Sequence, residues 1–493
     1  MRRGKRRVAE KVEDDQESQQ LGLSFADLPS HIIGHILLRL PIKSVFICKC
    51  VCKSWKALIL DPKFAKLHFE HAPVALLRGM DPGRGMDLGR GSRIVQLLEF
   101  EPETFENDDD QLYCWEDLLP ECNFHLKLEN KLKLPLPSAR LVVVNSCNGL
   151  LCLSNLDRDY FVVCNPITGE FIRLPQATRV DNTDGVRHKE VYCGFGFQPK
   201  TNEYKVVRIL KRHLVRFQEN KECMAVEMHT LGTSTWKNVD VDPRDFKWLE
   251  FPAVFKGLGF PTCVSGALHW ISFYYRTILC FDFEGERFQS FPSPPHLFEN
   301  RKDTRHITMG ELRGSLYICD SSSPSKSSVG TPFTMGTPFT MWIMMKYGFG
   351  ESWTKVFSID PVGRYRWPCG GLCWPVQQFK NGAAMLMYHS DNCFIYHEPE
   401  KHRFKLFKVR GTQSSFEVIP HFSNFISLKD AVKGDNIEVL NVHSRCAELK
   451  LHEQNEVLFL TKVLNIEVTK LDYISSNDED SEDEEEQGEE HTS

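Results

Sequence analysis

LPSHIIGHILLRLPIKSVFICKCVCKSWKALILDPKFAKLHFEHAP (28–73) is the stretch on which the reading of this chain turns. Behind Ser30, a residue suited to cap a helix N-terminus, Ile32, Ile33, Ile36, Leu37 and Leu40 recur at helical spacing. Leu40-Pro41 stops that helix, because the residue before a proline avoids the helical region. The pattern predicts a second helix over 42–51, a third around 55–60 that ends at Asp61-Pro62, and a short fourth over 63–70. Helices this short bury too little to stand alone, so the segment must pack on the rest of the chain or on another protein.

Outward from this stretch, 493 residues are enough for a large core and two domains. No run of eighteen apolar residues occurs, so no membrane is expected among the partners. The start, MRRGKRRVAEKVEDDQESQQ (1–20), has bases without an apolar core behind them and does not read as a secretory signal. Its Arg2-Arg3-Gly4-Lys5-Arg6-Arg7 suits equally a nuclear-import patch and a solvated tail. The 17 cysteines follow no framework spacing, and Asn-x-Ser/Thr is missing, which together suit free thiols in a reducing compartment, nucleus and/or cytoplasm. Of a net charge of −6, ten carboxylates fall between Asp478 and Glu490, a block expected to be a disordered tail. The body is then close to neutral and offers no electrostatic case for nucleic acid.

Beyond Pro73, VALLR (74–78) reads as a first strand. From about Arg140 onward, short strands alternate with turn residues. One recurring unit is a turn dipeptide ahead of an apolar strand, at Asn148-Gly149, Ser265-Gly266, Arg313-Gly314 and Asn381-Gly382. The other is strand, turn, strand: VVCNPITGEFIRLP (162–175), VEMHTLGTSTWKNV (226–239), LCFDFEGERFQSFP (279–292), WIMMKYGFGESWTKVF (342–357) and FIYHEPEKHRFKLFKV (394–409). Its copies start about 50 to 65 residues apart. GFGFQPKTNEYKVVRIL (194–210) adds a hairpin of the same style. Antiparallel units at that period predict a β-propeller, in which stacking blades bury faces that one blade cannot. Trp236, Trp270, Trp342 and Trp353 are expected to pack between blades. Two tandem duplications, GMDPGRGMDLGRG (79–91) and TPFTMGTPFTM (331–341), read as loop expansions.

Two family resemblances rest on these residues. Leu28-Pro29, Ile33, Ile36-Leu37, Leu40-Pro41, Lys43-Ser44 and Cys50-Val51-Cys52-Lys53-Ser54-Trp55 resemble the F-box of plant F-box proteins. Ile47 and Cys48 depart from it, since the family more often has arginine and phenylalanine there. The phrases SCNGLLCL, NPITGEFIRLP, GFGFQPKTNEYKVV, VSGALHWI, ILCFDFEGERFQSFP and VIPHFSNFISL resemble the kelch-like, F-box-associated domain that follows the F-box in many such proteins. The resemblance implies a multi-domain chain: a disordered leader (1–24), a small all-α F-box module (25–73), an all-β kelch-like propeller (74–470) and a disordered acidic tail (471–493). It also implies a non-catalytic receptor subunit of a ubiquitin ligase. Such a subunit docks a Skp-type adaptor, and through it a cullin, while the propeller holds an unknown protein target. Leu28, Pro29, Ile33, Ile36, Leu37, Leu40, Pro41, Val45, Val51 and Trp55 are the residues expected to shape the module and its docking; spacing does not separate those facing the adaptor from those facing the module's own core.

Chemistry of other kinds finds little footing. There is no Gly-x-Ser-x-Gly elbow, His-Glu-x-x-His or phosphate loop, and no cofactor is expected. Acid pairs such as Asp282 and Glu284 sit in turns. Cys48, Cys50 and Cys52 lack a second pair at zinc spacing and are expected to be buried free thiols. The loop RYRWPCGGLCWP (364–375) gathers Arg364, Tyr365, Arg366, Trp367 and Trp374, residue types that anchor interfaces, and is the candidate for target binding, unless these aromatics fold inward to cap the blades. Further candidate face loops are 179–191, 211–221, 242–258 and 296–306. Two other readings stay open: a ligase-independent F-box scaffold, and a propeller enzyme such as a glycosidase.

Overall fold

In the computed structural model the described residues are 28–40, 42–71, 74–80, 94–99, 121–122, 124–130, 142–155, 157–178, 186–216, 219–240, 261–272, 277–298, 307–321, 339–359, 372–379, 384–389, 393–398, 403–409, 418–434, 438–441, 449–454 and 458–467. The helical segment forms α1 (Ser30–Leu37), α2 (Ile42–Cys48), α3 (Lys53–Ile59) and α4 (Pro62–His71). Ser30 is the first helical residue and not the cap. Pro29 holds the cap position, and its carbonyl accepts the N–H groups of Ile32 and Ile33 at 2.9 and 3.2 Å. Proline's fixed φ already sets how the chain enters the helix, so no capping side chain is needed. The second helix also stops earlier than its apolar pattern suggests, because Cys52 caps α3: its Sγ accepts the Trp55 N–H at 3.5 Å. Asp61-Pro62 acts as a start signal as well as a break. Asp61 Oδ1 accepts the Lys63 N–H at 2.8 Å, and Pro62 occupies the first helical position, where a missing N–H costs nothing.

The remainder forms six antiparallel sheets. The first blade runs Val142–Cys147, Leu150–Ser154, Phe161–Cys164, Glu170–Arg173; the second Val186–Gln198, Glu203–Arg216, Glu219–Thr230, Lys237–Val239. The third comprises Thr262–Val264, Ala267–Ser272, Thr277–Asp282 and Arg287–Phe291, and the fourth Ile307–Leu312, Ser315–Asp320, Phe339–Met344 and Trp353–Ile359. The fifth has Cys373–Phe379, Ala384–His389, Cys393–Glu398 and Arg403–Val409, followed outward by Leu458–Glu467 and, at the edge, Glu121–Cys122. Innermost strands of successive blades lie against one another from the first to the fifth. The sixth sheet closes the ring with strands from both ends of the described chain. Val418–Phe422 is innermost and pairs with Val74–Met80, Leu76 opposite Pro420 and Arg78 opposite Val418. Ile94–Glu99, Phe124–Asn130 and Leu449–Gln454 follow outward. This is a β-propeller, as the repeat period requires.

The two recurring sequence units are the two halves of a blade. Asn148-Gly149, Ser265-Gly266 and Arg313-Gly314 join first to second strands, with φ of 49° and 78°, 52° and 80°, 51° and 82°. Positive φ at both central residues is the two-residue hairpin turn whose twist suits flanking strands. Asn381-Gly382 lies outside the described residues. The strand–turn–strand units are the outer hairpins of the first five blades. Two expectations need correction. In the second tandem duplication, residues 339–341 are strand, with Phe339 and Met341 fully buried, because alternation places them on the core face. Residues 186–191, 211–216 and 219–221 also belong to strands, where charged side chains along a long hairpin mask the strand pattern.

Trp236 and Trp353 bridge blades by the same device. Trp236 Nε1–H donates to the Pro175 carbonyl at 2.8 Å, and Trp353 Nε1–H to the Pro292 carbonyl at 3.0 Å. Each indole ties a blade to the Pro residue that ends the preceding blade. Trp270 is buried and Trp342 partly buried in the core.

The ring closure is held by polar side chains. Asn165 donates to the carbonyls of Asn424 and Ile426 at 2.9 and 2.8 Å, and its Oδ1 accepts the Ile167 N–H of its own turn. Glu170 accepts from the Ser427 hydroxyl at 2.9 Å and the Leu428 N–H at 2.6 Å. Asn424 donates to the Asn148 carbonyl at 3.1 Å. At Gly149 an added Cβ would lie 2.2 Å from Asn424 Cβ, at φ +78°. Gly149→Ala is therefore expected to destabilise the propeller by about 2–4 kcal/mol, combining the positive-φ penalty with overpacking. A thermal melt unchanged from wild type would refute this.

Candidate docking surfaces

The helical module has two unlike sides. Ile33, Leu37, Ile42, Val45, Ile59, Phe64 and Ala65 are buried in one cluster with Leu151, Leu153, Val162, Cys164, Ile167 and Phe171 of the first blade and with Ile419 and Phe425 of the closing segment. Phe425 is the joint between them. His68 of α4 meets it edge-on with centroids 4.9 Å apart, and Lys49 Nζ stands 4.8 Å from its ring centroid. Burial draws the Lys49 ammonium below the usual lysine range. The cation thus lies in a partly dry setting where the ring face attracts it.

The other side keeps large apolar side chains in solvent. Ile32 and Ile36, one turn apart on α1, are 39% and 38% exposed, Ile47 is 57%, Val51 61%, Leu60 51% and Leu67 46% exposed. An apolar set of this size on a segment already folded against its own domain marks a surface for another molecule.

The structure therefore sorts the sequence-derived docking residues. Ile33, Leu37 and Val45 point into the shared core, and Leu28, Leu40 and Trp55 pack partly against it. Pro29, Ile36 and Val51 face solvent. Pro41 lies outside the described residues. Ile32, Ile47, Leu60 and Leu67 are not among the docking residues expected from the sequence. The alternation of Ile32 with Ile33 and of Ile36 with Leu37 shows that α1 is apolar on two faces, the one signal that could have found the first of them. The three cysteines of the module are free but not buried: Cys50 is exposed, and Cys48 and Cys52 are intermediate. They end α2, lie in a turn and cap α3, so no helix face carries them together.

On the propeller, Arg364, Tyr365, Arg366 and Trp367 lie outside the described residues, as do 179–185, 242–258 and 299–306. Trp374 is not in a loop. It belongs to the innermost strand of the fifth blade, half-buried, with its ring 5.9 Å from Tyr388. Cys373–Phe379 pairs with the next strand along its length, with one irregularity between Pro375 and Gln377, which overrides the Pro/Gly signal beside it. Trp374 lines a cavity of about 180 Å³ at the propeller axis, together with Cys147, Cys263, Thr308, Glu311 and Phe422 from the innermost strands of four other blades. The hydrogen bond with the Cys263 thiol and burial push the Cys147 thiol well above its ordinary range, so it is neutral at pH 7. Asp282 accepts the N–H groups of Glu284 and Gly285 within its turn, and Glu284 pairs with Lys200 at the surface, as expected of solvated turn acids.

A family model described as the F-box associated beta propeller domain matches residues 107–428, and another, the F-box domain, matches residues 25–67. The chain belongs to the F-box associated β-propeller family and carries an F-box ahead of the propeller. Its relatives are F-box proteins of Arabidopsis thaliana. F-box protein At3g07870 is 25% identical over 455 residues, covering 83% of this chain and 94% of its own length. F-box protein CPR1 is 23% identical, with 80% and 87% covered, and F-box/kelch-repeat protein At3g23880 is 24% identical, with 73% and 87% covered.

Proposed function

We propose that this protein is a non-catalytic receptor subunit of a cullin-type ubiquitin ligase, acting in the nucleus, the cytoplasm or both. The observation that carries the reading is the two-sidedness of the F-box. One side is cemented to the first blade, while Ile32, Ile36, Ile47, Val51, Leu60 and Leu67 remain in solvent, where a Skp-type adaptor docks. Ile47, the departure from the usual arginine, adds apolar area to that side. The propeller holds the target protein. Chemistry is supplied elsewhere in the assembly, and this subunit raises the effective concentration of target lysines near the charged enzyme.

The test separates the two sides. Full-length chain is used to capture a purified plant Skp-type adaptor with its cullin. Ile36→Asp and Val51→Asp are expected to reduce capture at least tenfold while leaving the melting temperature within a degree or two, since both positions are exposed. Val45→Asp buries an unpaired charge at a cost of several kcal/mol and should lower the melting temperature itself. Undiminished capture by folded Val51→Asp and Ile36→Asp would sink the reading.

A further inference from the structure

The axial cavity has a chemistry that the fold does not require. Its one ionisable acid is Glu311, on the innermost strand of the fourth blade, and no lysine or arginine lines it among the described residues. Among the described residues Glu311 has a single hydrogen bond, from the Gly314 N–H at 2.5 Å, and no ion pair. Burial raises its carboxyl above the usual range against the lowering effect of that N–H. The following Arg313 is exposed and is not among the lining residues. Of the other polar lining groups, Thr308 donates to the Cys373 carbonyl, and Ser146 is bonded to His421 Nδ1 at 2.7 Å. Beside the cavity a second polar atom is stranded. Among the described residues the fully buried Tyr317 hydroxyl has no hydrogen-bond partner, and it stops against Gly310, a lining residue, where an added Cβ would lie 2.3 Å away.

Trp374 and Phe422 supply aromatic walls. About 180 Å³ is below the roughly 300–1,000 Å³ that drug-sized ligands occupy, and matches one side chain. A half-buried carboxylate with no cation beside it among the described residues, in a recess walled by aromatic rings, is complementary to a guanidinium or ammonium group. We propose that the axial cavity takes the cationic side chain of an arginine or lysine from the target protein. This rests on the reading of the propeller as the target-holding domain, and names the chemistry it would recognise.

Full-length protein is titrated calorimetrically with a neutral-flanked peptide holding one arginine, with the same peptide holding citrulline, and with methylguanidinium. The arginine peptide is expected to bind saturably and at least tenfold more tightly than the citrulline peptide, and more tightly than methylguanidinium. Glu311→Gln should abolish that preference, and affinity should fall as the pH drops and the lifted carboxyl takes a proton. Equal binding of the two peptides, binding of methylguanidinium as tight as that of the arginine peptide, an undiminished preference in Glu311→Gln, or no saturable binding each overturns the proposal. Adaptor capture and melting temperature are measured on the same samples. Capture retained without peptide binding overturns the cavity assignment alone, whereas peptide binding without capture counts against the ligase reading.

Discussion

Lowering the pH from 7 to about 4.5 is expected to destabilise the propeller by about 5 kcal/mol, through two histidines held neutral in its core. His269 is fully buried in the third blade, with Nδ1 against the Thr262 carbonyl and Nε2 against the Tyr347 hydroxyl at 3.2 and 3.0 Å, and burial lowers it to about 4. His421, on the closing strand, is fully buried and lowered to about 3. In both cases the folded value is below the unfolded one. Between pH 6.5 and these values the unfolded chain therefore binds more protons, and stability falls as the pH falls. Each ring contributes about 2.5 kcal/mol over this range. Glu311, whose carboxyl is raised, works in the opposite direction and trims the total. Against a usual stability of about 5–15 kcal/mol, a loss of this size brings the ring to the edge of unfolding. The check is the slope of unfolding free energy against pH. His421→Asn should lower that slope by about half whatever its effect at pH 7, and a full slope retained in both His269→Asn and His421→Asn would show that other groups carry the effect.

Phe425→Ala is expected to cost about 3–5 kcal/mol and to weaken adaptor capture, although Phe425 lies in the propeller's closing segment and not in the F-box. The substitution removes the ring that Lys49 and His68 both face, and opens a cavity under α4. Helices of seven to ten residues depend on such packing for their existence. Phe288→Ala provides the comparison. Phe288 is as deeply buried, in the third blade, among residues that do not include the module. It should lower stability similarly and leave adaptor capture intact while the protein is folded. Equal losses of capture in both variants would mean that the module senses only global stability.

Much of this architecture was legible in the chain because it rests on local signals. Asn148-Gly149 and Ser265-Gly266 announce hairpins by backbone preference alone, and Leu40-Pro41 and Asp61-Pro62 each mark a helix boundary. The phrases that suggested the family are those that meet in space: NPITGE through Asn165 and Glu170, NFISL through Asn424 and Ser427. What could not be read is long-range. Nothing local reveals that Leu37 faces a blade more than a hundred residues away while Ile36 faces solvent, since both are apolar. Trp374 was misplaced for the same reason: a strand between two masking prolines and glycines is defined by its partner, Ala384–His389, and not by its own composition.

The module's core also has a consequence in time. Ile419 and Phe425 complete it, yet Leu37 and Val45 leave the ribosome more than three hundred residues earlier. At roughly 5–20 residues per second, tens of seconds separate the two events. Until then the helices have only the first blade to fold upon, and the strand that shuts the ring has not been made. A nascent chain that has not yet reached Phe425 thus lacks part of the surface on which these helices pack. The order of translation makes the completion of this core a late event in the life of each molecule.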